Sequence, residues 1–194
     1  MLKLSGKHIF LLLLYSPGKT SKFNEPLFGR IRVMKMMFLF DKEIKKKFLK
    51  DLDIEIVSFP EFFSWHYGPF SKDVYNDIEF FINNGFVDNK YSDKEKTEIE
   101  LDEFKNWVED HLFEDEEELL LPYVRNVECF QLTQKGLDFV SEKIYGQLSD
   151  NQREIIAKFK EGINKATDQA ILRYTYLKYP EYTSKSKIKE KVVG

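Results

Sequence analysis

Lys72, Tyr75, Asn76 and Asn83 have the types and the spacing to read nucleic acid from a single helix. Asparagine can pair bidentately with adenine and lysine can reach the guanine edge, so the set could supply base contacts. Upstream, Arg30, Arg32 and Lys35 could supply the phosphate contacts that position such a helix without reading sequence. Against this, Asp73, Asp77 and Glu79 share the helix, and carboxylates near phosphate are costly. A second set points to protein instead. Trp65 and Tyr67 lie in an aromatic cluster with Phe59, Phe62 and Phe63, while Glu114, Asp115 and Glu116 belong to an acidic run. Aromatic side chains are common anchors at interfaces, and carboxylates steer basic partners.

Catalytic chemistry has no comparable set. His8, His66 and His111 are far apart and lack metal-ligand spacing. The chain carries no glycine-rich phosphate loop, and Ser71 follows a turn without the Gly-x-Ser-x-Gly elbow. The expectation is a non-enzyme with no catalytic residue, no cofactor and no metal. The partner is DNA or a protein.

Composition bounds the rest. The 194 residues are 42% hydrophobic and include 18 phenylalanines, enough for a real core. A formal charge of −3 argues against a protein dedicated to nonspecific nucleic-acid binding, which carries a basic footprint. A lone cysteine, Cys129, excludes an internal disulfide and points to a reducing, cytoplasmic setting. Its alternating neighbours make it a buried strand residue. The apolar run Ile9–Tyr15 is too short to span a bilayer, so it reads as a buried first helix with no membrane partner.

The stretch Trp65–Asp88 must position the candidate side chains. Gly68-Pro69 marks a turn and Ser71 stands at an N-cap position. Val74, Ile78, Phe81 and Ile82 then recur on one helical face. Asn83-Asn84-Gly85 stops the helix, with Gly85 in the left-handed position. Phe86-Val87 and Val127–Thr133 read as strands that pair antiparallel. Helix, strand, connection and returning strand is the sequence form of a winged helix, with Ser71–Asn83 as the third helix of a helix-turn-helix.

The fold class expected is therefore α+β and mainly helical. A winged helix-turn-helix core would carry an acidic insertion in the wing and helices toward the C-terminus. The division is 1–145 for the winged-helix domain, with the insertion at 90–126, and 146–194 for a helical extension. Within the insertion, Leu101, Phe104, Trp107 and Leu112 keep helical spacing. From Phe28 a helix places Ile31, Met34, Met37 and Ile44 on one side and Arg30, Arg32, Lys35 and Lys42 on the other. The lysine-rich stretch Ser184–Gly194 reads as a fraying tail.

Four stretches, RIRVMKMMFLFDKEI, WHYGPFSKDVYNDIEFFINNGFV, FQLTQKG and RYTYLKYPEYTSKS, together resemble the YwgA-like and Panacea group of phage-associated proteins. Panacea domains are akin to a proteolysis-promoting antitoxin. The resemblance spans most of Arg30–Ser186 and is sharpest at Trp65–Pro69 and Tyr179–Tyr182. It implies a compact helical protein acting through protein contacts, as antitoxin or adaptor, or in phage-related regulation, and it implies no enzymatic activity. Two functions stand side by side: a winged-helix DNA-binding regulator, and an antitoxin or adaptor that neutralises or recruits a partner such as a toxin. A homodimer suits either.

Overall fold

The computed structural model describes residues 2–51, 54–101 and 126–194. The chain is a mainly helical α+β protein. Strand β1 (Leu2–Ser5) leads into helix α1 (Gly6–Tyr15). Ile9 to Leu14 are apolar all round, so no face of α1 can be left in water, and all six are buried. The helix packs against β7 (Asn126–Leu132), α5 (Gln134–Lys143) and α6 (Asp150–Lys165).

After the short strand β2 (Leu27–Phe28) comes helix α2 (Arg30–Leu39). It continues through a π-helical turn, Phe40–Ile44, into α3 (Lys45–Phe48). α2 corrects the expected two-sided pattern. Val33, Met34, Met36, Met37 and Phe38 are buried, and so is Lys35, because α2 runs through the core instead of along its surface. The apolar spacing placed a helix here, but a helix covered on every side has no solvated face to hold its cations.

β3 (Ile54–Ser58) pairs in parallel with β1 through Leu2↔Ile54 and Leu4↔Ile56, an alliance the sequence did not suggest. β4 (Phe63–Trp65) and β5 (Gly68–Phe70) form a tight hairpin that turns at His66-Tyr67, which corrects the turn expected at Gly68-Pro69: that pair opens β5 opposite Trp65 and Ser64. Helix α4 (Lys72–Asn83) comes next. Ser71 takes the N-cap position, yet its side chain makes no capping bond there. The C-terminus closes as expected. Gly85 adopts φ 68°, its N–H donates to Ile82 O at 3.0 Å, and Phe86 N–H donates to Phe81 O at 2.9 Å. That pair of bonds is the Schellman arrangement, which satisfies carbonyls the last helical turn would leave open.

β6 (Val87–Glu95) and β7 pair antiparallel from Val87↔Leu132, and β2 joins the far side of β7, giving the order β2-β7-β6. The pairing of Val87 with the 127–133 stretch is thus present. β6 runs through Glu95, so the first residues of the expected 90–126 insertion lie in the sheet. Thr97 and Glu100 then bond each other's backbone N–H at a helical start over 98–101. Phe104, Trp107, Leu112 and the acidic run lie outside the described residues.

Thr133 caps α5 by accepting from Gly136 N–H, and Ser149 with Gln152 forms a capping box on α6. Helix α7 (Asp168–Lys178) and the short α8 (Lys189–Val193) complete the chain. Ile156, Ile163 and Ile171 sit in the same hydrophobic cluster as Leu4, Phe10 and Phe38. Residues on both sides of position 145 therefore share one core. The fraying expected for 184–194 is corrected: Ile188 and Val192 are buried.

Candidate interaction surface

The three cations assigned to phosphate have internal partners. Arg30 forms a two-pronged pair with Glu128, Nε to Oε2 at 2.7 Å and Nη2 to Oε1 at 2.8 Å. It also reaches Glu79 at 2.7 Å and lies over the rings of Tyr75 and Phe130. Burial opposes its charge, but Glu128 and Glu79 outweigh that and raise its pKa. Burial likewise opposes the Glu128 carboxylate, and Arg30 outweighs it and lowers its pKa. Arg32 donates to Ile163 O and Ala166 O at the end of α6, where a cation complements the helix dipole, and pairs with Asp168 at 2.8 Å. Lys35 is fully buried and donates to Pro69 O at 3.0 Å. The phosphate role expected of this trio is corrected: a guanidinium held by two carboxylates inside the molecule has no fork left for a phosphate.

The α4 residues divide. Lys72, Asn76 and Asn83 are exposed on one side. Tyr75 is buried beneath Arg30 and against Phe70, with ring centroids 5.4 Å apart, so it cannot reach a groove. Asp73 and the half-exposed Glu79 share the outer face with Lys72, which gives no continuous basic surface. Asp77 faces Lys7 at 3.5 Å, and burial raises its pKa.

The aromatic candidates fall together at the β4–β5 hairpin. The half-buried Trp65 stacks on His66 at 5.0 Å and leans on Phe70 at 4.4 Å. Tyr67 is buried in a second, smaller cluster with Ile31, Leu172, Tyr176, Ile188 and Val192. Gly68 makes this possible. It adopts φ 86°, and a Cβ there would lie 2.8 Å from the Tyr176 ring. The 184–188 stretch is laced to the hairpin. Lys187 N–H donates to His66 O at 2.9 Å, Lys185 N–H to Ser64 Oγ at 3.0 Å, and Tyr176 and Ser186 hydroxyls meet at 2.8 Å. Sequence reasoning missed Ile188 and Val192. Their i, i+4 spacing within a lysine-rich stretch was the available signal. Glu114, Asp115 and Glu116 lie outside the described residues.

Tyr179 and Tyr182 both pack edge-on against Phe38, with centroids at 5.0 and 4.9 Å. Glu43 accepts from Tyr174, Lys178 and Tyr179, each at 2.9 Å. Burial alone would raise the Glu43 pKa; these donors outweigh it and lower it.

A cleft of about 650 Å³ opens beside the Lys19–Pro26 loop and reaches Asn164 and Asp168. Its central carboxylate is already engaged. Glu25 accepts from Lys19 and Thr20 N–H, the Thr20 hydroxyl and Asn164. Burial opposes these bonds, but they hold its pKa down at about 2. Among the described residues no three His, Cys, Asp or Glu side chains gather as a metal site. Cys129 is half-buried, and burial pushes its thiol upward, away from a reactive thiolate. No described helix is long and apolar enough to cross a membrane.

The molecule is thus a helical α+β protein whose expected phosphate-binding cations are turned inward and whose aromatic hairpin has β4 partly exposed and β5 buried. Residues 33–180 match the family described as Antitoxin SocA-like, Panacea domain, and the chain belongs to that family. No curated protein and no solved structure is significantly similar to it.

Proposed function

We propose that the chain is a protein-binding antitoxin or adaptor module, phage-associated and cytoplasmic, that neutralises or recruits a partner such as a toxin. The observation that carries this is the internal use of Arg30, Arg32 and Lys35. Of the cations assigned to DNA, Lys72 alone is then left to face it, beside Asp73 and Glu79, and binding to duplex DNA depends on neutralised phosphates. The family's antitoxin character supports the same reading. The test is co-purification of the tagged chain with the protein encoded beside it, alongside a gel-shift series on DNA from the same locus. Partner capture with no low-salt DNA shift is the expected result. A sequence-selective shift that Lys72→Ala with Asn76→Ala weakens would reverse the assignment.

One observation favours a second reading. The sheet order β2-β7-β6, entered from α4, has the strand order of a winged helix. We infer a winged-helix core with α4 as its third helix, and such a core serves DNA and protein alike. A DNA-binding version would rest on Lys72, Asn76 and Asn83.

A further inference from the structure

Among the described residues, six buried side chains make the small cluster at the hairpin, and two of them, Ile188 and Val192, come from the stretch after Thr183. The other four, Ile31, Tyr67, Leu172 and Tyr176, form a notch that these two side chains fill. The notch is distinct from the main core, which includes Leu4, Phe38, Ile78 and Ile156 and does not include Ile188 or Val192. Ser184–Val193 thus forms a strap whose buried side chains lie outside the main core, the condition for local opening without unfolding. The strap lies beyond the 33–180 stretch that carries the family match. Beside the notch, His66 Nδ1 is buried with no hydrogen-bond partner among the described residues.

We propose that this notch is a docking site for a basic partner segment with two aliphatic side chains four residues apart, and that Ser184–Val193 occupies it as a stand-in until the partner arrives. The proposal deepens the protein-binding reading and rests on it. The chemistry of the occupant is written in the strap itself. Ile188 and Val192 point inward, while Lys185, Lys187, Lys189 and Lys191 are exposed. A basic segment also suits a chain of net charge −3, which draws cationic partners by long-range attraction. His66 Nδ1 gives an incoming segment one polar contact that the strap leaves unused. Main-chain bonding at His66 O and Ser64 Oγ is indifferent to sequence, so a different segment can replace the strap and keep both bonds.

The test uses the full chain and a synthetic peptide of Ser184–Gly194, so its outcome does not depend on the partner's identity or on the co-purification result. In the I188D/V192D double variant the strap cannot seat. The peptide should then shift the NMR signals of Tyr67, Leu172 and Tyr176, saturating at millimolar concentration or below, since a tethered segment acts at an effective concentration of about that order. In wild type the same peptide should bind at least tenfold more weakly, and a peptide carrying both aspartates should not bind. Equal shifts in wild type and variant, or none in either, would overturn the proposal. So would loss of the variant's cooperative thermal transition, since the strap would then be part of the core. A wild-type dimer in the ultracentrifuge that the double variant dissolves would assign the notch to a second copy and overturn the partner assignment.

Discussion

Lys160 is a fully buried amine whose partners are two carbonyls, Leu14 O and Ser16 O, each at 2.7 Å. Burial lowers its pKa to about 7, with Glu25 pulling weakly the other way. A neutral amine has two N–H groups, which two carbonyls satisfy. The unfolded lysine titrates near 10.4, as lysines do in model peptides. Between about 7 and 10.4 the unfolded chain holds more protons than the folded one, so stability from this group rises with pH there. Below about 7 both states are charged and the burial penalty is complete. Urea unfolding of wild type and Lys160→Met from pH 6.5 to 9.5 should show the wild type gaining about 2–4 kcal/mol over the variant; parallel curves would refute the assignment. Arg30 makes the complementary case. Arg30→Met strands Glu128 in the interior and should cost about 3–5 kcal/mol in chemical denaturation, while adding Glu128→Leu should restore most of it. A phosphate-binding arginine at the surface would show almost no such loss. Nothing in the spacing of Arg30, Arg32 and Lys35 separates the two cases, because helical periodicity records which residues share a side and not whether that side meets solvent.

Among the elements, those set by local signals were legible. α4 announced itself through its apolar face and its Asn-Asn-Gly stop, and α6 through the Ser149 cap. The β6–β7 pairing could be read from alternation in both strands. The β1–β3 pair was not legible, since four or five residues carry little periodicity and their partnership spans some fifty positions. The strap was also misjudged, because its lysines outweighed two aliphatic residues in the composition. Gly68 is where the hairpin meets the Tyr176 ring, whose hydroxyl in turn meets Ser186 of the strap. Gly68→Ala would meet both the φ of 86° and the Tyr176 ring. It should cost about 1–3 kcal/mol, as overpacking does. Hydrogen exchange should show the Lys187 amide losing protection ahead of core amides such as Ile78. If the two amides lost protection together, strap and core would be one cooperative unit.

Across the whole molecule, the main cluster draws on residues from Leu4 to Ile171, and α1 and α2 are wrapped by elements later in the chain. A truncation in either half of the core should be felt everywhere. Ile156→Ala should lower stability by about 2–5 kcal/mol in a single transition seen alike by far-UV circular dichroism and by tryptophan fluorescence. Two separated transitions would mark two folding units. The β2–β7 pairing has one more consequence. Leu27 bonds across to Phe130, and Arg30 completes its ion pairs only when Glu128 joins Glu79. A ribosome adds about 5–20 residues per second, so roughly 5–20 s separate the two halves of each contact during synthesis. For that interval α2 exists without the two-pronged Glu128 partner of Arg30 and with apolar side chains still uncovered. Newly made chains are therefore open to chaperones and proteases for seconds before the fold can close, and the cell's supply of finished protein depends on how that interval is spent.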